Sequence, residues 1–204
     1  MEFKYALNIA HSLLGKLTPD ITKMHIAGSV RREKPEVKDI EIVCLPKMDI
    51  NFSSNSGGLF GPEVPGYKVI EKKVVTKSFM NTVLALGIPL KGNPGGRYMQ
   101  ILLPDGINLD LFMPEAHDYY RQLAIRTGPA EYSYAVLAVG WRKLGWCGTS
   151  EGLRLMSQCQ ERKQCSGKSI WNCIVPEPEL PPHWQSEQEF YNWLKVPYLE
   201  PTQR

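Results

Sequence analysis

Three carboxylates and one short basic turn are the residues of this sequence whose types and spacing can do chemistry. Asp39-Ile40-Glu41 and Leu109-Asp110-Leu111 each alternate acids with large aliphatic residues, and the first lies just behind Gly28-Ser29-Val30-Arg31-Arg32. Side chains alternate faces along a strand, so Asp39 and Glu41 share one face while Ile40 and Ile42 turn into a core. Two such carboxylates stand about 6.5–7 Å apart, and a third on a neighbouring strand lies roughly 4.8 Å to the side. Carboxylate oxygens spaced in this way suit a pair of Mg²⁺ ions, for which Mn²⁺ can substitute. Two such ions clamp the attacking and leaving oxygens of a phosphoryl transfer, a reaction that asks the protein mainly for alignment and charge neutralisation.

On that reading Asp39 and Glu41 hold the ion on the triphosphate side, and Asp110 completes the ion that activates an attacking hydroxyl. The Gly28-Ser29 turn follows a strand, and its backbone N–H groups make an anion site. Ser29 can donate to a terminal phosphate, Arg32 can grip it with a planar fork, and Gly28 lets the backbone approach without a Cβ in the way. Singly, each piece has a plainer explanation, since an acidic pair on a strand is usually a solvated face. The ordered set is far more specific: a Gly-Ser turn, two arginines, and acids eleven and thirteen residues after Gly28.

The elements that must position these residues are legible in outline. Residues 3–17 carry Phe3, Leu7, Ala10, Leu13, Leu14 and Leu17 at helical spacing. Residues 24–27 read as a short strand ending at Gly28, and 40–45 as the next. Residues 51–66, rich in Gly, Ser, Asn and Pro, read as a loop, and 67–87 as one or two helices. A turn is expected at 92–96. Residues 98–103 and 107–113 form a hairpin around Asp105-Gly106, a two-residue turn signal. From His117 onward helices with loops are expected. One opens at Gly128-Pro129-Ala130-Glu131 and runs to about Gly145. Residues 176–182 read as an extended linker, and Ser186-Glu187-Gln188-Glu189 is a capping box introducing a helix over 190–194.

Composition narrows the class without naming it. The chain has 204 residues and a net charge of +3, so nucleic-acid contact is permitted but not argued for by charge. No apolar run reaches membrane-span length, and the start Met1-Glu2-Phe3-Lys4 lacks the order of a signal peptide. A cytoplasmic, non-secreted, monomeric enzyme without membrane attachment is the expectation. Five cysteines without secretory context read as reduced thiols. Cys159, Cys165 and Cys173 lack the paired spacing of a zinc site and read as free thiols in a loop or hairpin insertion, with metal or partner binding left open.

Taken together, these motifs resemble the family X DNA polymerases. Gly28-Ser29-Val30-Arg31-Arg32 followed by Asp39-Ile40-Glu41 is similar to that family's Gly-Ser-x-Arg-Arg and Asp-x-Asp signature, and Asp110 to its third metal carboxylate. Arg97-Tyr98-Met99-Gln100 is similar to the strand start before that carboxylate, and Arg126-Thr127-Gly128-Pro129 to the turn leading the helix behind the incoming nucleotide. Lys143-Leu144-Gly145-Trp146, Glu151-Gly152-Leu153 and the tail Pro197-Tyr198-Leu199-Glu200-Pro201 continue the pattern. The resemblance implies an α+β fold: a nucleotidyltransferase palm over residues 1–116, its sheet flanked by helices, and a small C-terminal nucleotide-binding subdomain over 117–204. It implies two Mg²⁺ ions held by Asp39, Glu41 and Asp110. Triphosphate contacts would come from Gly28, Ser29 and Arg32, and sugar or base contacts from Arg126, Thr127, Gly128 and Ser133. It further implies templated addition of a dNTP to a primer 3′-hydroxyl on gapped or primer-template DNA, in short-gap repair or replication.

The sequence departs from that pattern in four ways. Glu41 stands where Asp is usual, and Ile125 and Arg126 replace the aromatic pair beside the sugar, leaving ribonucleotide exclusion open. Ala130 and Ser133 occupy polar base-side positions. Only 27 residues precede Gly28, so the resemblance is to a minimal form lacking an N-terminal lyase domain. Two other functions share the motifs: template-independent nucleotidyl transfer to an RNA end, a small molecule or a protein, and a non-catalytic end-binding module.

Overall fold

The computed structural model describes residues 1–53, 70–164 and 169–204. Its first helix, α1 (Phe3–Leu17), buries Ala6, Ala10, Leu13 and Leu17 at the three- and four-residue spacing that makes one apolar stripe. Next come strand β1 (Ile21–Ile26), the single turn α2 (Gly28–Arg31) and strand β2 (Asp39–Pro46). A hairpin of β3 (Met48–Ser53) and β4 (Ile70–Val75) leads to α3 (Lys77–Leu84), capped by the Thr76 hydroxyl, which accepts from Phe79 N. Strands β5 (Ile88–Gly92), β6 (Tyr98–Leu102) and β7 (Asn108–Phe112) complete this half. The fold is mixed α+β, built on one five-stranded mixed sheet in the order β1-β2-β7-β6-β5 with flanking helices.

Alternation along the three central strands sorts the sheet into two faces. Ile40, Ile42, Met99, Ile101, Leu109 and Leu111 point to one side and join Ala6, Leu13, Phe79 and Val83 in the main core beneath α1 and α3. Each such side chain, removed from water, stabilises the fold by about 2 kcal/mol. The interleaved residues Asp39, Glu41, Val43, Tyr98, Gln100, Asp110 and Phe112 therefore point to the other side. There Val43 and Phe112 are covered by Tyr119 and Leu123 of α4 (Tyr119–Thr127). The remaining part of that face carries the acids.

The strands differ from the sequence expectation in four places. The hairpin between β6 and β7 closes through a three-residue turn, 104–106, with Leu103 N bonded to Ile107 O and Gly106 at φ +75°. A two-residue turn at Asp105-Gly106 would pair Gln100 with Leu111 and Ile101 with Asp110, setting polar against core positions. The observed turn pairs Gln100 with Asp110 and Ile101 with Leu109, so burial of the apolar face selects the turn length. Of the stretch 67–87, expected as one or two helices, the described part 70–87 holds one helix, because 70–75 form β4, paired with β3; Val74 and Val75 are β-branched and favour the strand. Residues 51–53 likewise belong to β3, and the rest of the expected loop, 54–66, lies outside the described residues. Strand β5 is exposed throughout, so it carries no alternation to betray it.

Beyond α4, a second cluster forms around Ala124, Leu137, Trp141, Trp146, Trp184, Phe190 and Leu194. Leu123 faces the sheet cluster and Ala124 this one, so α4 serves both. The helical stretch α5, residues 130–143, widens to a π-helical turn over Ser133–Ala138. Two hairpins follow, β8 (Trp146–Thr149) with β9 (Gly152–Leu155), and β10 (Cys159–Lys163) with β11 (Ser169–Cys173). Helix α6 (Glu187–Leu194) begins three residues earlier than its apolar run, because Ser186 Oγ caps Glu189 N. Among the described residues no helix is long and apolar enough to cross a membrane.

The two clusters are tied by Glu187, whose side chain is 7% exposed. Its Oε2 accepts from Arg31 Nη2 at 2.7 Å, and its Oε1 from Arg204 Nη1 at 3.0 Å. Arg204 in turn lies among the rings of Tyr132, Tyr191 and Tyr198. Removing the carboxylate leaves two guanidinium groups without their anion. Glu187→Gln should therefore lower stability by about 3 kcal/mol. The check is the urea unfolding midpoint, and an unchanged midpoint would show the two parts to be joined by packing alone.

Candidate functional site

The acids sit on the open part of the sheet because of how three strands register. Parallel β2 and β7 pair Glu41 with Asp110 and Asp39 with Asn108. Antiparallel β6 and β7 pair Asp110 with Gln100 and Phe112 with Tyr98. Tyr98 Oη donates to Asp110 Oδ1 at 2.7 Å, and Gln100 Nε2 donates to the same oxygen at 2.9 Å. Glu41, Tyr98, Asp110, Phe112, Gln122 and Arg126 line a cleft of about 530 Å³. Glu41 and Arg126 also line a second cleft of about 500 Å³, shared with Arg32, Gly128, Ser133 and Tyr134.

The turn after β1 comes up directly beneath Glu41. Gly28 has φ +62°, and a Cβ built there would overlap the Glu41 carboxylate at Oε2. Glycine is needed twice over, for its backbone conformation and for the approach. Ser29 Oγ, next along, is buried without a hydrogen-bond partner. A hydroxyl in that condition suits an anion or acceptor brought in from outside.

The site's charge is unbalanced. Burial, then repulsion from Asp39, pushes Glu41 up to about 7, and burial followed by repulsion from Asp110 also raises Asp39. Among the described residues none of Asp39, Glu41 and Asp110 belongs to an ion pair. Oxygen donors in this state are chemically suited to hard divalent cations. As they stand, no three His, Cys, Asp or Glu side chains among the described residues are gathered closely enough to hold a metal ion. Mutual repulsion and the two donors on Asp110 Oδ1 oppose that convergence.

Other residues singled out from sequence are placed differently from one another. Arg32 Nη1 donates to the Thr127 carbonyl, while its Nε is buried without a partner. Arg31, not assigned a role from sequence, reaches Thr127 Oγ1 at 2.6 Å as well as Glu187. Thr127 is fully buried, so it anchors both arginines. Gly128 has φ +63°, starts a cis peptide to Pro129, and turns the chain from α4 into α5. Ser133 Oγ donates to the Ile125 carbonyl at 3.0 Å, which commits its proton within the chain. Arg126 lies over the Phe112 ring at 4.0 Å.

Cys159 and Cys173 face each other across β10 and β11, and Cys147 on β8 lies beside Cys159. Burial pushes Cys147 up to about 12, which keeps it a thiol. Cys165 lies outside the described residues.

Tyr98 and Gln100 are the site residues that sequence reading had not assigned. Their signal was present: a period-two strand opposite Asp110 places every second side chain on the acidic face. The chain matches no family model, and no curated protein matches it significantly.

The raised Glu41 carboxylate has a consequence for stability. Between its ordinary value of 4.5 and about 7, the folded protein holds a proton that the unfolded chain has lost. Stability from this group is therefore lost as pH rises through that window. In metal-free buffer, Glu41→Gln should gain thermal stability relative to wild type across the window and hold a constant advantage above it. Parallel melting-temperature curves for the two proteins would show that Glu41 titrates normally.

Proposed function

We propose that this chain is a metal-dependent nucleotidyltransferase of the family X DNA polymerase type, adding a dNTP to a primer 3′-hydroxyl on gapped or primer-template DNA. One observation carries the reading: register sets Glu41 beside Asp110, with Asp39 on the same open face, around carboxylates that form no ion pair among the described residues. The motif resemblance supports it, with residues 1–116 as palm and 117–204 as the nucleotide-binding subdomain.

Two Mg²⁺ ions, or Mn²⁺, would supply charge neutralisation at the attacking and leaving oxygens. Asp39 and Glu41 would hold the ion beside the triphosphate. Asp110 would hold the ion beside the primer hydroxyl, with Tyr98 and Gln100 fixing the orientation of its carboxylate. The reading requires the three acids to draw together by side-chain rotation once their repulsion is neutralised. Ser29 Oγ, without a hydrogen-bond partner among the described residues, is the donor for a phosphate oxygen beside the Gly28 turn. Arg32 has its Nε in reserve, though part of its fork is engaged by Thr127. Arg126 and Ser133 border the sugar and base side, where neither presents the aromatic wall that would exclude a 2′-hydroxyl.

A one-nucleotide-gapped duplex with Mg²⁺, offered each dNTP and each NTP separately, tests the reading. Wild type should add one nucleotide dictated by the template base. Asp110→Asn, which preserves shape and the acceptor for Tyr98 and Gln100, should reduce addition by on the order of a thousandfold or more. Addition indifferent to the template would favour the template-independent transferase instead, and activity retained by Asp110→Asn would remove the metal-site assignment.

A further inference from the structure

We propose that Arg126 is a built-in counter-cation for the acidic face, balancing Glu41 and Asp110 and opposing the binding of a divalent cation until it is displaced. This role presupposes the cation site proposed above and names what controls it. Arg126 sits in the last turn of α4, with its guanidinium 4.0 Å from the Phe112 ring. Phe112 lies two residues beyond Asp110 on the same face of β7, so the ring holds the cation at the edge of the carboxylate cleft. Arg126 and Glu41 are the two residues common to both clefts.

The guanidinium is not committed elsewhere among the described residues. Among the described residues Arg126 belongs to no ion pair, and its Nε is buried without a hydrogen-bond partner. It is held, among the described residues, by the aromatic ring and by the field of the acids, with no hydrogen bond or ion pair to break before it moves. Burial lowers its pKa first of all; of the groups facing it, Glu41, Asp110 and Tyr98 favour its cationic form and Arg121 opposes it. Arg126 is in turn the largest influence lowering Glu41. The two positions at which the polymerase-like motif is altered, Glu for Asp at 41 and Arg for an aromatic at 126, therefore face one another in space. The guanidinium offsets part of the charge of the longer acid without forming an ion pair with it. A metal ion entering this face must replace a charge that the chain already supplies.

Manganese binding measured by electron paramagnetic resonance, on protein without nucleotide or DNA, tests the role directly. It is done at about pH 8.5, above the range in which Glu41 titrates. Removing a unit positive charge beside the ion should tighten binding by on the order of tenfold in Arg126→Gln. Arg126→Met should behave alike, which guards against a folding defect in either variant, and Arg126→Lys should stay close to wild type. Asp110→Asn should weaken binding in every background, placing the ion at this face. Binding by wild type that is unchanged or weaker in both neutral variants would overturn the role of Arg126 and leave the metal site standing. If neither wild type nor the neutral variants bind Mn²⁺, the metal site itself falls, and the role of Arg126 with it.

Discussion

Parallel pairing of β2 and β7 in one register is the constraint on which the rest of the site depends. It puts Glu41 beside Asp110 and, by the same alternation, Ile40 and Ile42 beside Leu109 and Leu111 in the core. A slip of one residue would turn the acids into the apolar core and the aliphatic side chains out to water, so burial beneath α1 and α3 enforces the position of the acids. The chemistry-bearing face is thus specified by the face that does none. Strand β6 then adds Tyr98 and Gln100 to the acidic side through the turn at 104–106.

Holding these carboxylates together opposes stability in the absence of cations. Glu41 and Asp39 are both raised by burial first, then Glu41 by repulsion from Asp39 and Asp39 by repulsion from Asp110, and no ion pair among the described residues relieves them. The chain answers with softer means: two neutral donors on Asp110, and a guanidinium over Phe112. Strong ion pairs are placed elsewhere, where they join parts. Arg31 links the turn after β1 to Glu187 on α6, and Arg121 is bound to Asp118 at 2.5 Å and stacked over Trp141. The arginines nearest the site thus divide between holding the two clusters together and facing the acids.

Much of this arrangement was legible in the sequence, because burial and period-two alternation leave a strong trace. The strands bearing Asp39, Glu41 and Asp110 are of this kind, whereas the approach of Gly28 to Glu41 is set by tertiary packing. Features decided by tertiary pairing were not legible. The turn at 104–106 contains the Asp-Gly signal of a shorter turn, and only the match of apolar faces selects the longer one. Residues 70–75 read as part of a helical stretch when taken alone, and pairing with β3 is what makes them strand β4. Adjacent Arg31 and Arg32 look equivalent in sequence, yet Arg31 reaches Glu187, 156 residues away. Nor could sequence show that Ser133 spends its proton on Ile125, since that bond depends on how α4 turns into α5.

The central claim is that Asp39, Glu41 and Asp110 together hold divalent cations at a nucleotidyl-transfer site. Anomalous diffraction from crystals grown with Mn²⁺ and a non-hydrolysable dNTP analogue addresses it most directly. The account predicts two manganese peaks about 3.5–4 Å apart, bridged by these three carboxylates and the phosphates, with phosphate oxygens at Ser29. Manganese bound elsewhere, or an analogue bound with the three acids still apart, would contradict it.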